Sequence, residues 1–177
     1  MVKMTFTLPD DYSLEIGRII TKWAYLENYL QRCVHLMMGV DDVVGRVALK
    51  ETRVPERVKL IEEIAYLRGF SLEKKIMKST RKMVEEVYGW RNLIAHGLWV
   101  ELPEHGWCVR QTKGKLPQEA KLEGLAQNRK ITPEAVPVSL ELLRNISENT
   151  GIMIKNAQAM QDALTEMITQ QMNEERG

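Results

Sequence analysis

Residues 88–99 read Tyr-Gly-Trp-Arg-Asn-Leu-Ile-Ala-His-Gly-Leu-Trp (YGWRNLIAHGLW), and the chain changes its period inside this stretch. Up to His96 the apolar residues recur at intervals of three and four, which is the spacing of one face of an α-helix. After Gly97 the segments GLWVEL and WCVRQT alternate between apolar and polar, with PEHG between them, which reads as a β-hairpin. A long helix therefore ends here and a small β element begins. Towards the N-terminus the helix extends back to a cap at Ser71, with Glu73 in its first turn. Its expected core stripe is Leu72, Ile76, Thr80, Met83, Val87, Trp90 and Ile94.

Beyond the hairpin, residues 113–130 hold Gly, Pro, Lys and Gln without periodicity and read as a loop. Thr132-Pro133-Glu134 opens a final helical region, and Pro137 breaks its first turns. The main helix is expected from Val138 or Ser139 to about Gln171, packing through Leu142, Ile146, Met153, Met160, Leu164 and Met167. At the other end, Asp10 or Asp11 caps a helix that runs to Met38 and stops at Gly39. Its stripe is Ile16, Ile20, Trp23, Leu30, Val34 and Met37. Glu27 falls on that stripe and asks for a cationic partner or a place at the wet edge. Shorter helices are expected over Asp42–Lys50 and from Pro55 to Arg68, the latter burying Val58, Ile61, Ile64 and Ala65. The expected fold is mainly α: an up-and-down helical bundle with a β-hairpin inserted before the last long helix.

The 177 residues suffice for a single domain over 1–177, with 98–131 as the hairpin and loop insertion. A net charge of +1 argues against a general polyanion binder, so any nucleic-acid contact must be local. Such a patch exists in Arg110, Lys113, Lys115, Lys121, Arg129 and Lys130, set against Glu119 and Glu123; a solvated loop is its plainer reading. Cys33 and Cys108 lie far apart without metal spacing, which suits two free thiols in a reducing compartment. No stretch has the length and apolarity of a membrane helix or a signal peptide, so a cytoplasmic protein without membrane contact is expected. No metal site and no cofactor motif is expected.

Within the long helix, Glu85, Gly89, Asn92 and His96 share a face distinct from the core stripe. Arg91 lies about 100° round from Asn92, yet its side chain is long enough to reach back. Gly89 inside a helix costs about 1 kcal/mol relative to alanine, which suggests close approach of another backbone. His96 sits at the helix C-terminus, where the dipole favours a cation, and imidazole suits acid–base work near neutral pH. Cleavage of an RNA phosphodiester needs a base, an acid and a cation for the phosphate. One histidine cannot serve both sides of one phosphate, but two from a two-fold dimer can. Arg91 would hold the phosphate bidentately, and Asn92 would orient the imidazole or donate to a phosphate oxygen.

The segment Arg91-Asn92-Leu93-Ile94-Ala95-His96 resembles the ribonuclease motif of HEPN (higher eukaryotes and prokaryotes nucleotide-binding) proteins, an arginine followed after four to six residues by histidine. The segment WAYLENYL of the first helix is similar to the first helix of bacterial and phage-borne members. The resemblance covers roughly residues 12–98 and the last helix. It implies a homodimer with the motifs at the interface and metal-independent RNA cleavage, with Arg91 and His96 catalytic and Asn92 supporting. It also implies a toxin–antitoxin or phage-defence setting, with a cognate antitoxin or other protein partner. A pairing of Glu27 with Arg91 is a separate geometric expectation. The alternative is a non-catalytic module of the same type that binds RNA or protein. Of the other histidines, His35 is expected as a surface or interface residue on the polar face of the first helix, and His105 in an exposed turn. Trp99 and Trp107 could stack on bases, but packing in the hairpin is their plainer role.

Overall fold

A computed structural model describes residues 7–69, 74–110 and 135–174. Among these the helices are α1 (Asp10–Met38), α2 (Asp42–Ala48), α3 (Val54–Leu67), α4 (Lys74–His96) and α5 (Leu140–Glu174). Strands β1 (Leu98–Leu102), β2 (Gly106–Arg110) and β3 (Ala135–Pro137) form one antiparallel sheet in the order β1-β2-β3. The chain is therefore mainly helical with a small sheet. It divides into two compact units: Met1–Thr21 with Glu85–Asn149, and Lys22–Val84 with Thr150–Gly177. The boundary falls within α1, α4 and α5, so each of these helices contributes to both units.

In the first unit, β1 pairs with β2 so that Trp99 faces Val109 and Glu101 faces Trp107. The opposite face of the sheet carries a buried cluster of Val100, Cys108 and Ala135, with Leu102 against it. Val87, Trp90, Leu93 and Ile94 of α4 are buried, as are Leu143 and Ile146 of α5. The third strand corrects the sequence expectation. Residues 135–137 continue the sheet, with Val109 opposite Val136 and Cys108 opposite Pro137, instead of starting a helix. Pro137 is tolerated because β3 is an edge strand, where a missing N–H need not break a ladder. Helix α5 then starts at Leu140, and Ser139 Oγ accepts from the Leu142 N–H at 3.0 Å, a side-chain cap.

In the second unit, Trp23, Leu26, Leu30, Val34 and Met37 of α1 are fully buried, with Val54, Val58 and Ile61 of α3 and Met153 and Leu164 of α5. Each such side chain contributes about 1.5–3 kcal/mol of hydrophobic free energy. Gly39 at φ +66° ends α1 and Gly69 at φ +72° follows α3, both in the left-handed region that favours glycine. Asp41 caps α2, its Oδ1 accepting from the Val43 and Val44 N–H groups at 2.8 and 3.0 Å.

Several stripe positions shift by one residue. Ile19 is fully buried while Ile16 and Ile20 are half-buried, Leu143 replaces Leu142, and Val84 replaces Met83. Ile64, Met160 and Met167 are half-buried. Asp10 and Asp11 occupy the first turn of α1 instead of capping it. The expected cap at Ser71, with Leu72 and Glu73, and the loop over 113–130 lie outside the described residues.

Candidate functional site

Helix α4 delivers Arg91, Asn92 and His96 in its last two turns. Asn92 and His96 share a face, whereas Arg91 starts from the neighbouring stripe. The structure brings the three together. Arg91 Nη1 donates to Asn92 Oδ1 at 3.0 Å and lies 3.5 Å from His96 Nε2. The first distance is a good hydrogen bond; the second is at the outer limit of one. Arginine has only donors, so a bond to Nε2 requires the imidazole tautomer whose lone pair is on that nitrogen. Arg91 and Asn92 are half-buried, and His96 is exposed. Among the described residues, Arg91 Nε is buried and has no hydrogen-bond partner. A buried guanidinium N–H without an acceptor costs free energy.

The turn after His96 is fixed by two contacts. The Trp99 indole N–H donates to the Ile94 carbonyl at 3.2 Å, satisfying one of the oxygens that a helix end leaves open. The Gly97 N–H donates to the Leu93 carbonyl at 2.8 Å. A Cβ at Gly97 would collide with Val109 Cγ1 and stand 2.5 Å from the Leu93 carbonyl oxygen. Glycine is thus needed here for the close approach of β2, not for a left-handed backbone. Tyr12 packs edge-on to Trp99, with ring centroids 6.2 Å apart and planes at 85°, and lies 6.4 Å from Trp107. Both indoles are therefore engaged in packing, their plainer role.

The supporting residues fare differently. Glu85 is exposed and Gly89 half-buried on the face of Asn92 and His96, as their spacing requires. Glu27 belongs to the other compact unit and is described there. Its Oε1 accepts the Trp23 indole N–H at 3.0 Å, and its carbonyl accepts from Arg57 Nη1 at 3.2 Å. Burial pushes the Arg57 guanidinium down from its ordinary value, and the Glu27 charge opposes that shift. Arg57 is thus a cation that feels the Glu27 charge, but its hydrogen bond goes to the Glu27 backbone carbonyl and not to the carboxylate. Arg110 is exposed at the end of β2, while Lys113, Lys115, Lys121, Arg129 and Lys130 lie outside the described residues.

His35 is not on the surface. It is 3% exposed, and its Nδ1 lies 3.0 Å from Asp42 Oδ1. That bond holds the Asp42 carboxyl below the usual carboxylate value, with smaller help from the charges of Arg46 and Arg32. The imidazole packs against Gly45 of α2, where a Cβ would strike the ring. Glycine inside a helix costs about 1 kcal/mol relative to alanine, so α2 gives up helix stability to admit this ring. The signal was in the sequence, a glycine inside a seven-residue helix, but only the fold shows what it accommodates. His105 is half-buried in the β1–β2 turn, not fully exposed. Among the described residues no group of three or more His, Cys, Asp or Glu side chains is placed to hold a metal ion, and no helix is long and apolar enough to cross a membrane.

Comparison with protein-family models, with curated proteins and with solved structures finds no match to this chain.

Proposed function

We propose that this protein is a HEPN-type endoribonuclease whose cleavage needs no metal and which works as a homodimer. The observation that carries the reading is the convergence of Arg91, Asn92 and His96 at the end of α4, with Arg91 Nε buried and lacking an acceptor among the described residues. In this chemistry the His96 of one subunit removes the proton from a ribose 2′-OH. The 2′ oxygen attacks phosphorus, and the bond from phosphorus to the 5′ oxygen breaks. The His96 of the other subunit protonates that leaving oxygen. The products are a 2′,3′-cyclic phosphate and a 5′-hydroxyl, and no oxidant or cofactor is consumed. Arg91 supports the negative phosphorane oxygens, as guanidinium geometry allows. A toxin–antitoxin or phage-defence role, with an antitoxin as protein partner and a place in the cytoplasm, accompanies this reading.

A second reading is a non-catalytic RNA-binding or protein-interaction module. It is favoured by the bond between Arg91 Nη1 and Asn92, which already uses part of the guanidinium as a structural brace. One experiment separates the two. Labelled total RNA and a tRNA pool are incubated in EDTA with the wild type, His96→Ala and Arg91→Ala, after sedimentation has established that all three are folded dimers. Cleavage by the wild type alone supports the enzyme. Binding without cleavage supports the module, and equal cleavage by all three removes the site from consideration.

A further inference from the structure

We infer that the pocket between α1 and α2 is a binding site for a small phosphate-class oxyanion. It is separate from the Arg91–His96 site and does not depend on the ribonuclease reading. The pocket has a volume of about 170 Å³ and is lined by Asn28, Gln31, Arg32 and His35 of α1 and by Asp42 and Arg46 of α2. The α1 residues follow one helical face at intervals of three, one and three, and the two α2 residues are one turn apart.

The hydrogen-bonding inventory selects the ligand. Two guanidiniums, two amides and one imidazole supply donors, and they face a single carboxylate. That carboxylate is already engaged by His35 Nδ1 at 3.0 Å. The Arg46 contact to Asp42 is long, at 3.9 Å, with both side chains more than half exposed, so it leaves the guanidinium available. Arg32 makes no ion pair among the described residues, and its charge reaches Asp42 only at longer range. The two arginines and one aspartate sum to a charge of +1 with a neutral imidazole. A donor-rich, net positive pocket is matched by an acceptor-rich anion, and a tetrahedral phosphate offers acceptors in the directions that two guanidiniums require.

The second observation is His35 itself. It is 3% exposed, and among the described residues its Nε2 is buried against Gly45 with no hydrogen-bond partner. Its Nδ1 bond to Asp42 is something an apolar side chain at this position could not supply. The imidazole is therefore placed for its polarity. The ring lines the pocket beside Arg32.

The test uses the full chain labelled with ¹⁵N and titrated with inorganic phosphate at constant ionic strength. The readout is the Arg32 and Arg46 Nε–H signals together with the His35 ring nitrogens. The expected result is saturable movement of all three, with affinity at least tenfold weaker in Arg32→Gln/Arg46→Gln. Both replaced residues are exposed, and circular dichroism verifies that the variant is folded. Parallel titrations with a sugar phosphate identify the source. Tighter binding than inorganic phosphate assigns an organic phosphate ester, and equal or weaker binding assigns the free anion. Movement that grows linearly with phosphate, or that saturates identically in the double variant, overturns the site.

Discussion

Replacing Gly45 with alanine tests the packing around His35 through a change of sign. In an unencumbered helix the substitution stabilises by about 1 kcal/mol. Here the three nearest atoms to the new methyl all belong to the His35 ring, with Cγ at 2.6 Å and two others closer still. The ring cannot retreat freely, because it is 3% exposed and tied to Asp42. Overpacking of this kind costs about 1–3 kcal/mol, and contacts this short belong in its upper half. Gly45→Ala should therefore destabilise the wild type by about 1–2 kcal/mol net, given that overpacking cost and the helix gain. In a His35→Ala background the obstacle is gone, and the same substitution should stabilise by about 1 kcal/mol. The coupling energy of the cycle is then about 2–3 kcal/mol, since it isolates the collision. The assay is urea unfolding followed by tryptophan fluorescence, with unchanged m-values as the check that only stability moved. For a chain of this size each kcal/mol corresponds to roughly 2–4 °C in melting temperature, so a thermal scan gives an independent measure. If Gly45→Ala stabilises equally in both backgrounds, the ring does not occupy the space over α2, and the argument for a built site at His35 fails with it.

Asp42→Asn should flatten the acid limb of the stability curve. The folded carboxyl lies below its ordinary value of 3.8 because His35 bonds to it. Its contribution is therefore complete above that value and lost as pH falls through the lower folded value. The difference in melting temperature between wild type and variant should shrink on acidification below about pH 4; a constant difference would contradict the bond. Both cysteines should be inert in the native protein: burial pushes the Cys33 thiol up to about 12 and the Cys108 thiol up to about 11. A thiol reagent at pH 8 should label neither until urea is added, and rapid native labelling of either would refute its burial. Ser139→Ala removes the cap of α5 and should cost about 0.5–2 kcal/mol, read as a lower urea midpoint; an unchanged midpoint would mean that the Leu142 N–H finds another acceptor. Gly97→Ala should loosen β2 against the end of α4, seen as faster amide exchange at Val109 and Arg110; unchanged exchange would show that the strand does not depend on that approach.

The long helices were legible because period and stop signals agree: α1 ends before Gly39 and α4 ends before Gly97. The one-residue shifts at Ile19, Leu143 and Val84 have a common cause. A helix of 3.6 residues per turn presents adjacent apolar positions almost equally, and which of them goes inside is decided by the opposing elements. The strand at 135–137 was hidden for a different reason. Thr-Pro-Glu followed by Pro is as good a helix opening as it is an edge-strand boundary, and the choice rests on a pairing with β2 that lies about 27 residues away in sequence. His35 was misplaced because its neighbours Asn28 and Gln31 make that face read as polar. The face is polar, but α2 folds over it, and a cover contributed by another element leaves no periodic trace in α1.

The same limit explains why the Arg91–His96 pair could be suspected from sequence but not placed. Five residues along a helix turn through about 500°, so the two α-carbons point about 140° apart, and spacing alone argues against contact. What closes that angle is Asn92. It stands on the histidine face, and its Oδ1 holds Arg91 Nη1 at 3.0 Å, which leaves the same nitrogen 3.5 Å from His96 Nε2. The asparagine draws the arginine across the groove between two stripes. This gives the adjacent Arg-Asn pair a physical reason: an arginine alone on its stripe would be free to turn towards solvent, while an arginine hooked by the next residue is directed towards the imidazole. Under the proposed function, Asn92 would act through Arg91 as a positioning residue. The cost of that arrangement is a buried Nε that finds no acceptor among the described residues.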